Sequence, residues 1–484
     1  MLNSSFKKYT YGQDKACSPT ETIKKALNRL YQDKKPILKE ILRIDTLDKI
    51  GIPVYTCKLN LEVIKALGFE ETFGKGITPE QAQASALMEL VERYSGFSFL
   101  KKNFLIDSFI KIKEKAIPIE NLLLPLPFLF RQNIFVEKLR NVSLCWIEAY
   151  NLIKNKKFLF PLPWFYRIYG TTGWAAGNSL EEAILQAICE IVERHCVSIV
   201  MEERLEVPTI KIDSINSSLI QELLKKISDA GIELFIKDFS LGLGIPTIAV
   251  IAHDPSPPTP TLKVYAAAGT HLNSNFALIR ALIEFTQHRA QIIYRELIQK
   301  RPGGPTYCFL RFKDLKDANF LIKGDKIPFS NLPSFSHPDF KVEIEYILNL
   351  ISQRGFEVFV IETTHPSIQL PSVIVTIPGV RLNRPSTKLH PYLLLARQFM
   401  DLKDYKKALS YIEETFEDEP SYRKLPQILC QAAVCAKKAN NYQKALKYYE
   451  EAVEIAPYLL QSEKFVFDFA ETHAKIFKSS QTDS

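Results

Sequence analysis

Six polar residues between positions 178 and 194 have the types and spacing to do chemistry together: Asn178, Glu182, Gln186, Glu190, Glu193 and Arg194. They follow one another at steps of four, four, four, three and one. At about 100° per residue, those steps place all six on one narrow stripe of an α-helix. Ala183, Ile184, Leu185, Ala187, Ile188, Cys189, Ile191 and Val192 fill the rest of the circumference. A surface helix shows the reverse proportions, and carboxylates are not buried without a compensating partner. The stripe is therefore expected to face a cleft, with the helix packed on its other sides. The pattern occurs earlier as well. In PEQAQASALMELVERY (79–94), Ser85, Glu89, Glu92 and Arg93 share a face, and Ala84, Leu87, Leu90 and Val91 turn away from it. ELVER at 89–93 and EIVER at 190–194 stand 101 residues apart. For one such motif the ordinary explanation is a solvated face with the arginine as its own salt-bridge partner. Two copies with matched apolar surroundings argue for a shared, strongly negative site that wants a cation.

A di-iron carboxylate bundle needs Glu-x-x-His, which neither helix supplies: His195 stands two after Glu193. Oxygen ligands without histidine favour magnesium, which brings phosphates with it. The amide and carboxylate ladder ahead of the metal-type glutamates suits a nucleotide's ribose and base. Arg194 and Arg289 would then neutralise its phosphates. No Ser-His-Asp or Cys-His arrangement can be placed, so no catalytic residue is named; His288 is the one histidine worth watching.

The elements that must position these residues follow from local signals. Residues 177–196 read as one helix, with Asn178 or Ser179 as N-cap and acidic residues in its first turn. YGTTGWAAGNS (169–179) is a small-residue turn that lets backbone approach a ligand at that helix's start. GKGITPE (74–80) is a glycine-flanked turn ahead of the first carboxylate helix. It lacks the G-x-x-x-x-G-K-[ST] spacing of a Walker loop. SPTETIKKALNRLY (18–31) is a helix with Pro19 at its first position. A third long helix spans 275–300, with Glu284, Gln287 and Arg289 breaking its apolar first half and PGGPT (302–306) ending it. Strands are expected within 44–60, at 232–240 and 245–254, and across 355–380; 264–273 runs to another small-residue turn, and 101–170 reads as short strands and loops. From about 386 the composition turns helical. YKKALSYIEETFEDEP (405–420) matches YQKALKYYEEAVEIAP (442–457) at an offset of 37, a tetratricopeptide-like pair slightly longer than the usual period. Two copies are few for a free solenoid, so this tail is expected to dock on the main domain.

A chain of 484 residues with 46% hydrophobic content can bury a sizeable core in roughly two or three domains. Its net charge of +8 is dispersed, and with no binding motif it argues against nucleic acid as substrate. Eight cysteines without a C-x-x-C argue against a structural zinc site and for a reducing compartment. MLNSSFKKYT lacks an apolar signal core. The longest apolar run, NLLLPLPFLF (121–130), is broken by two prolines and is too short to span a bilayer. The expectation is a cytoplasmic protein with no membrane segment.

These motifs resemble the YcaO family. GKGITPEQAQASALMELVERY is similar to the family's first nucleotide motif. TTGWAAGNSLEEAILQAICEIVER is similar to its second, with the Asn, Glu, Gln, Glu, Glu, Arg series filled in register. Glu284, Gln287 and Arg289 match a third, E-x-x-Q-x-R element. Lys15 and Thr22 stand seven apart, like the family's Lys and Ser, and IPGV (377–380) suits the closing strand. The resemblance implies an α+β YcaO-type ATP-binding domain over residues 1–385, followed by an all-α tetratricopeptide-like domain over 386–484. It implies ATP and Mg2+ as cofactors. Glu89, Glu92, Glu190 and Glu193 would hold magnesium; Lys15, Thr22, Ser85, Asn178, Glu182 and Gln186 would contact the nucleotide; Arg194 and Arg289 would contact its phosphates. The implied reaction is ATP-dependent activation of a backbone amide in a peptide or protein. A neighbouring Cys, Ser or Thr then gives an azoline, and a sulfide source gives a thioamide. Azoline-forming members end in a proline-rich tail, whereas this sequence ends ETHAKIFKSSQTDS, so thioamidation is the expected outcome. A sulfur-delivering partner protein, contacts through the repeats and a homodimer are compatible with it. The rival expectations are a non-catalytic ATP-binding scaffold and an accessory factor for ribosomal-protein modification.

Overall fold

A computed structural model describes residues 2–31, 36–126, 133–300, 310–382 and 389–482. The PGGPT stop, residues 127–130 of the apolar run and the 385/386 boundary lie outside the described residues. Among the described residues no helix is long and apolar enough to cross a membrane.

Helix α1 (Pro19–Leu30) starts with a capping box, in which Ser18 and Glu21 satisfy each other's backbone N–H. Strands β1 (Leu38–Arg43), β2 (Val54–Leu59) and β3 (Glu71–Lys75) form an antiparallel sheet. The first carboxylate helix, α2 (Pro79–Phe99), is capped by Thr78 and carries Pro79 at its first position. It lies against β3 so closely that a Cβ on Gly74 would come within 2.0 Å of the Ala86 backbone nitrogen. A second antiparallel sheet follows, formed by β4 (Leu105–Ser108), β5 (Ser143–Asn151), β14 (Phe359–Glu362), β15 (Ser372–Thr376) and β7 (Trp174–Ala176) in that order, with β6 (Lys156–Phe160) on β5. The aromatic run 158–169 divides between β6 and a helix, α3 (Leu162–Tyr169), with proline in its first turn. The expected strands and loops of 101–170 are in this part helical, because Phe165, Ile168 and Tyr169 at helical spacing all reach the core.

The second carboxylate helix, α4 (Leu180–Glu203), leaves β7 and is capped by Ser179. The other large sheet runs β12 (Leu310–Phe312), β11 (Val264–Thr270), β10 (Thr247–His253), β9 (Glu233–Asp238), β8 (Thr209–Ile210) and β13 (Lys326–Ile327). From β11 the chain enters α5 (Ser274–Ile293), capped by Asn273. Here a Cβ on Gly269 would fall 2.4 Å from the Ala281 nitrogen. The same unit, a strand ending in small residues and then a long helix, thus occurs as β3–α2, β7–α4 and β11–α5. Glu89, Glu190 and Glu284 stand fifteen residues after Gly74, Ala175 and Gly269 respectively, so each occupies the same place in its unit.

Among the described residues five α-helices follow α6 (Phe340–Ser352) of the main body: α7 (Pro391–Asp401), α8 (Tyr405–Asp418), α9 (Pro426–Lys438), α10 (Tyr442–Ile455) and α11 (Glu463–Thr482). Asp404 and Asn441 cap α8 and α10 at matching positions. These helices dock as expected. One contiguous core holds Trp164, Phe165 and Val375 together with Leu393, Ala432 and Tyr449. Gln398 Nε2 donates to the Ser143 carbonyl at 2.5 Å, and Arg167 and Lys138 pair with Asp401 and Glu414.

Candidate functional site

The helices α2, α4 and α5 and the N-terminal segment enclose a cavity of about 430 Å³. Both polar stripes face it: Ser85, Glu89, Glu92 and Arg93 from α2, and Asn178, Glu182, Gln186, Glu190, Glu193 and Arg194 at or on α4. Lys15 and Thr22 line it too. They arrive there because residues 9–15 form a tight turn. Gly12 takes a φ of 68°, and the Lys15 N–H donates to the Tyr9 carbonyl at 2.9 Å. The same segment is strapped over the start of α4. The Asn3 N–H donates to Glu181 at 2.8 Å, and the Ser5 and Ser179 hydroxyls meet at 2.8 Å. Lys7 is clamped between Asp14 and Glu343, at 2.6 Å from each. The result is that Lys15 Nζ sits 3.2 Å from Glu182 Oε1. The Ala16 N–H donates to Glu182 Oε2 at 2.9 Å. Thr22 Oγ1 donates to Asn178 Oδ1 at 3.2 Å.

The four glutamates of the paired motifs are held in matching ways. One oxygen of Glu89 accepts the Phe73 N–H at 2.9 Å, and one oxygen of Glu190 accepts the Gly173 N–H at 3.0 Å. Arg93 folds back to 3.3 Å from both Glu89 and Glu92, and Arg194 to 3.9 Å from both Glu190 and Glu193. Burial pushes the Glu92 carboxyl well above the usual range, with Glu89 and Glu190 adding repulsion. Glu193 is raised by the same cause, against the attraction of Arg194 and Arg280. The two arginines thus leave the carboxylates undercompensated, a donor set that fits hard divalent cations. Among the described residues no three such side chains are drawn close enough to hold a metal by themselves. Any ion here would complete its shell with other oxygens.

Helix α5 supplies the third wall. Glu284 meets Lys75 and, at 2.8 Å, His288, and Gln287 also lines the cavity. Lys75 is brought down to about 8, by burial first and then by the charge of Arg280. Burial drives His288 well below the usual histidine range. Arg289 is not brought to the cavity. It is 0% exposed, with Nε 2.8 Å from Asp48 and Nη1 2.7 Å from Asp254. The physical reason is rotation: five residues past Glu284, it stands about 140° around the helix. Arg280, one turn before Glu284, lies instead on the cavity face, and its Nη1 donates to Gln186 Oε1 at 2.8 Å. Sequence reasoning missed Arg280 and Lys75. The four-residue step that gave the α4 stripe, applied backwards from Glu284, finds Arg280, whereas Lys75 carries no periodic signal.

Comparison with known proteins agrees with this geometry. The YcaO cyclodehydratase family, described as ATP- and Mg2+-binding, matches residues 73–381, and a tetratricopeptide repeat matches 426–459. An uncharacterized protein of Methanothermobacter thermautotrophicus is 29% identical over 391 residues, 76% of this chain and 95% of its own. The ribosomal protein S12 methylthiotransferase accessory factor YcaO of Escherichia coli is 27% identical over 242 residues, 45% of this chain and 41% of that one. A heterocyclase solved with substrate and cofactor superposes with a TM-score of 0.67 at 22% identity, over 83% of this chain and 57% of that chain. YcaO from Methanopyrus kandleri, bound with AMPPCP and Mg2+, gives 0.57 at 20% identity, over 78% and 95%. The two solved structures establish the fold.

Proposed function

This chain belongs to the YcaO family, and we propose that it uses magnesium–ATP to phosphorylate a backbone amide in a peptide or protein, with a thioamide as the product. The observation that carries the reading is the pair of glutamate couples, Glu89/Glu92 and Glu190/Glu193, turned into one cavity with burial raising Glu92 and Glu193. In this reading those four glutamates hold Mg2+. Lys15, Thr22, Ser85, Asn178, Glu182 and Gln186 hold the nucleotide, and Arg194 its phosphates. Bound magnesium–ATP supplies the phosphoryl group that turns the amide oxygen into a leaving group. The protein's own part is positional. The Phe73 and Gly173 N–H groups fix one oxygen each of Glu89 and Glu190, so that the carboxylates stand preorganised before any ligand arrives. The N-terminal strap closes the Glu182 end against water. The docked repeat helices offer the surface on which a sulfur-delivering partner would bind.

A second reading, an accessory factor acting on a ribosomal protein, draws on the name of the Escherichia coli relative. Calorimetry with and without Mg2+, on wild type and Glu190→Gln, tests the shared premise. Micromolar, magnesium-dependent ATP binding that is lost in the variant is expected, and a wild type that binds no ATP overturns the proposal. Peptide-dependent ATP turnover then favours the enzyme over the accessory role.

A further inference from the structure

We propose that Gln291 grips the backbone amide of the substrate; this rests on the magnesium–nucleotide reading above and names where the second reactant is held. Gln291 stands seven residues past Glu284, two turns along the same face of α5, and it lines the cavity. It lies outside the E-x-x-Q-x-R element, so the family resemblance assigns it no role. The residue is only 7% exposed. A buried carboxamide is ordinarily hydrogen-bonded, because an unmet one costs free energy. The other cavity glutamines follow that rule. Gln186 accepts from Arg280, and Gln81 donates to Tyr9 and Tyr11. Among the described residues, only Gln287 of the motif element and Gln291 line the cavity as glutamines without a side-chain hydrogen bond.

Position and charge select the ligand. Lys75 pairs with Glu284 and also stands in the field of Glu193 and Glu89, so the Glu284 turn is level with the metal-type glutamates. Gln291 lies about 10 Å further along the helix axis, on the side away from Lys15 and Glu182. A triphosphate running from the nucleoside end to the glutamates would stop short of it. Glu71, Phe73 and Arg295 line the same end of the cavity. Arg295 sits 3.2 Å from Glu71 and 5.0 Å from the centre of the Phe73 ring, and Gln299 Nε2 donates to Glu71 at 3.2 Å. The charges at this end thus answer each other, and an ionic ligand gains nothing there. A secondary amide is neutral and presents one N–H and one C=O. A glutamine side chain carries the matching carbonyl and NH2.

The test uses N-acetylglycine N-methylamide, a bare stretch of backbone, and N-acetylglycine methyl ester, in which an oxygen replaces one N–H. Saturation-transfer NMR titrates both against protein loaded with Mg2+ and AMPPCP, as wild type, Gln291→Met and Gln291→Glu, alongside melting curves. The wild type is expected to prefer the amide over the ester by about tenfold, since a site built to hydrogen-bond an N–H rejects the analogue lacking it. Gln291→Met should bring the two compounds within about twofold of each other. Gln291→Glu, which keeps an acceptor and loses the donor, should weaken both alike and retain the preference. An unchanged preference in Gln291→Met overturns the assignment, as does a wild type that binds neither compound or binds them equally. So does AMPPCP affinity that falls in step with the amide, which would make Gln291 a nucleotide contact. Should Gln291→Met melt early, the glutamate variant decides: unchanged binding of both compounds overturns the anchor. A wild type that binds no AMPPCP overturns the nucleotide reading itself, whereas AMPPCP binding without amide binding overturns Gln291 alone.

Discussion

At Glu193 the carboxylate is buried beside Glu190, with a single arginine 3.9 Å from both, so the folded protein holds its proton above the ordinary glutamate range. Glu92 does the same on α2. A carboxyl whose folded pKa is raised makes the folded state bind more protons than the unfolded chain. Its contribution to stability is complete below about 4.5 and is lost as the pH rises through the folded value. Without Mg2+, stability against denaturant should therefore fall as pH is raised from 5 toward 8. Saturating Mg2+ should flatten that fall, since the ion displaces the protons. Glu193→Gln should raise the metal-free melting temperature by a few degrees while abolishing the magnesium-induced shift. A variant that melts lower without metal would show that the charge is compensated after all.

At the scale of elements, the three strand–helix units explain what the sequence made legible. The α2 and α4 stripes could be read because a helix converts one-dimensional spacing into a face, and the structure brings both faces into one cavity. Lys15 and Thr22 had no such signal. They meet Glu182 and Asn178 across more than 150 residues of sequence, and only the family resemblance pointed to them. Arg289 shows the opposite failure: a motif match carried it to the site, while its angle around α5 carries it away. The glycines make the units testable. Gly74→Val puts a Cβ 2.0 Å from the backbone of α2, where nothing flexible can yield. It should cost about 3 kcal/mol or more, beyond the usual penalty of an overpacked core. Gly51→Ala, with φ of 70° and nothing within 4 Å, should cost about 1 kcal/mol from backbone strain alone. Urea unfolding of the two variants checks the contrast.

At the scale of the whole molecule, the repeat helices are part of the structure that holds the site. Phe399 and Leu394 share a core with Trp164 and Phe165, and α3 lies directly under α7. Truncation before Pro391 would bare that apolar surface. The expected result is an aggregating or early-melting protein rather than an intact nucleotide domain that has lost its partner, and size-exclusion chromatography of the truncated chain would show which. Partner contacts through the repeats are better probed by exposed substitutions such as Phe467→Ser and Phe477→Ser, whose side chains stand 69% and 65% exposed on the last helix.

The strap formed by residues 3–16 also has a practical side. Its first bonds are to Glu181 and Ser179, sequence neighbours of the cavity-lining Glu182 and Asn178, so whatever is fused ahead of Leu2 starts from the same end of α4. A polyhistidine tag placed there would bring imidazoles and extra charge within reach of four glutamates, and could itself register as a metal site in a titration. Protein for such experiments is best tagged beyond Thr482, or freed of its tag by a protease first.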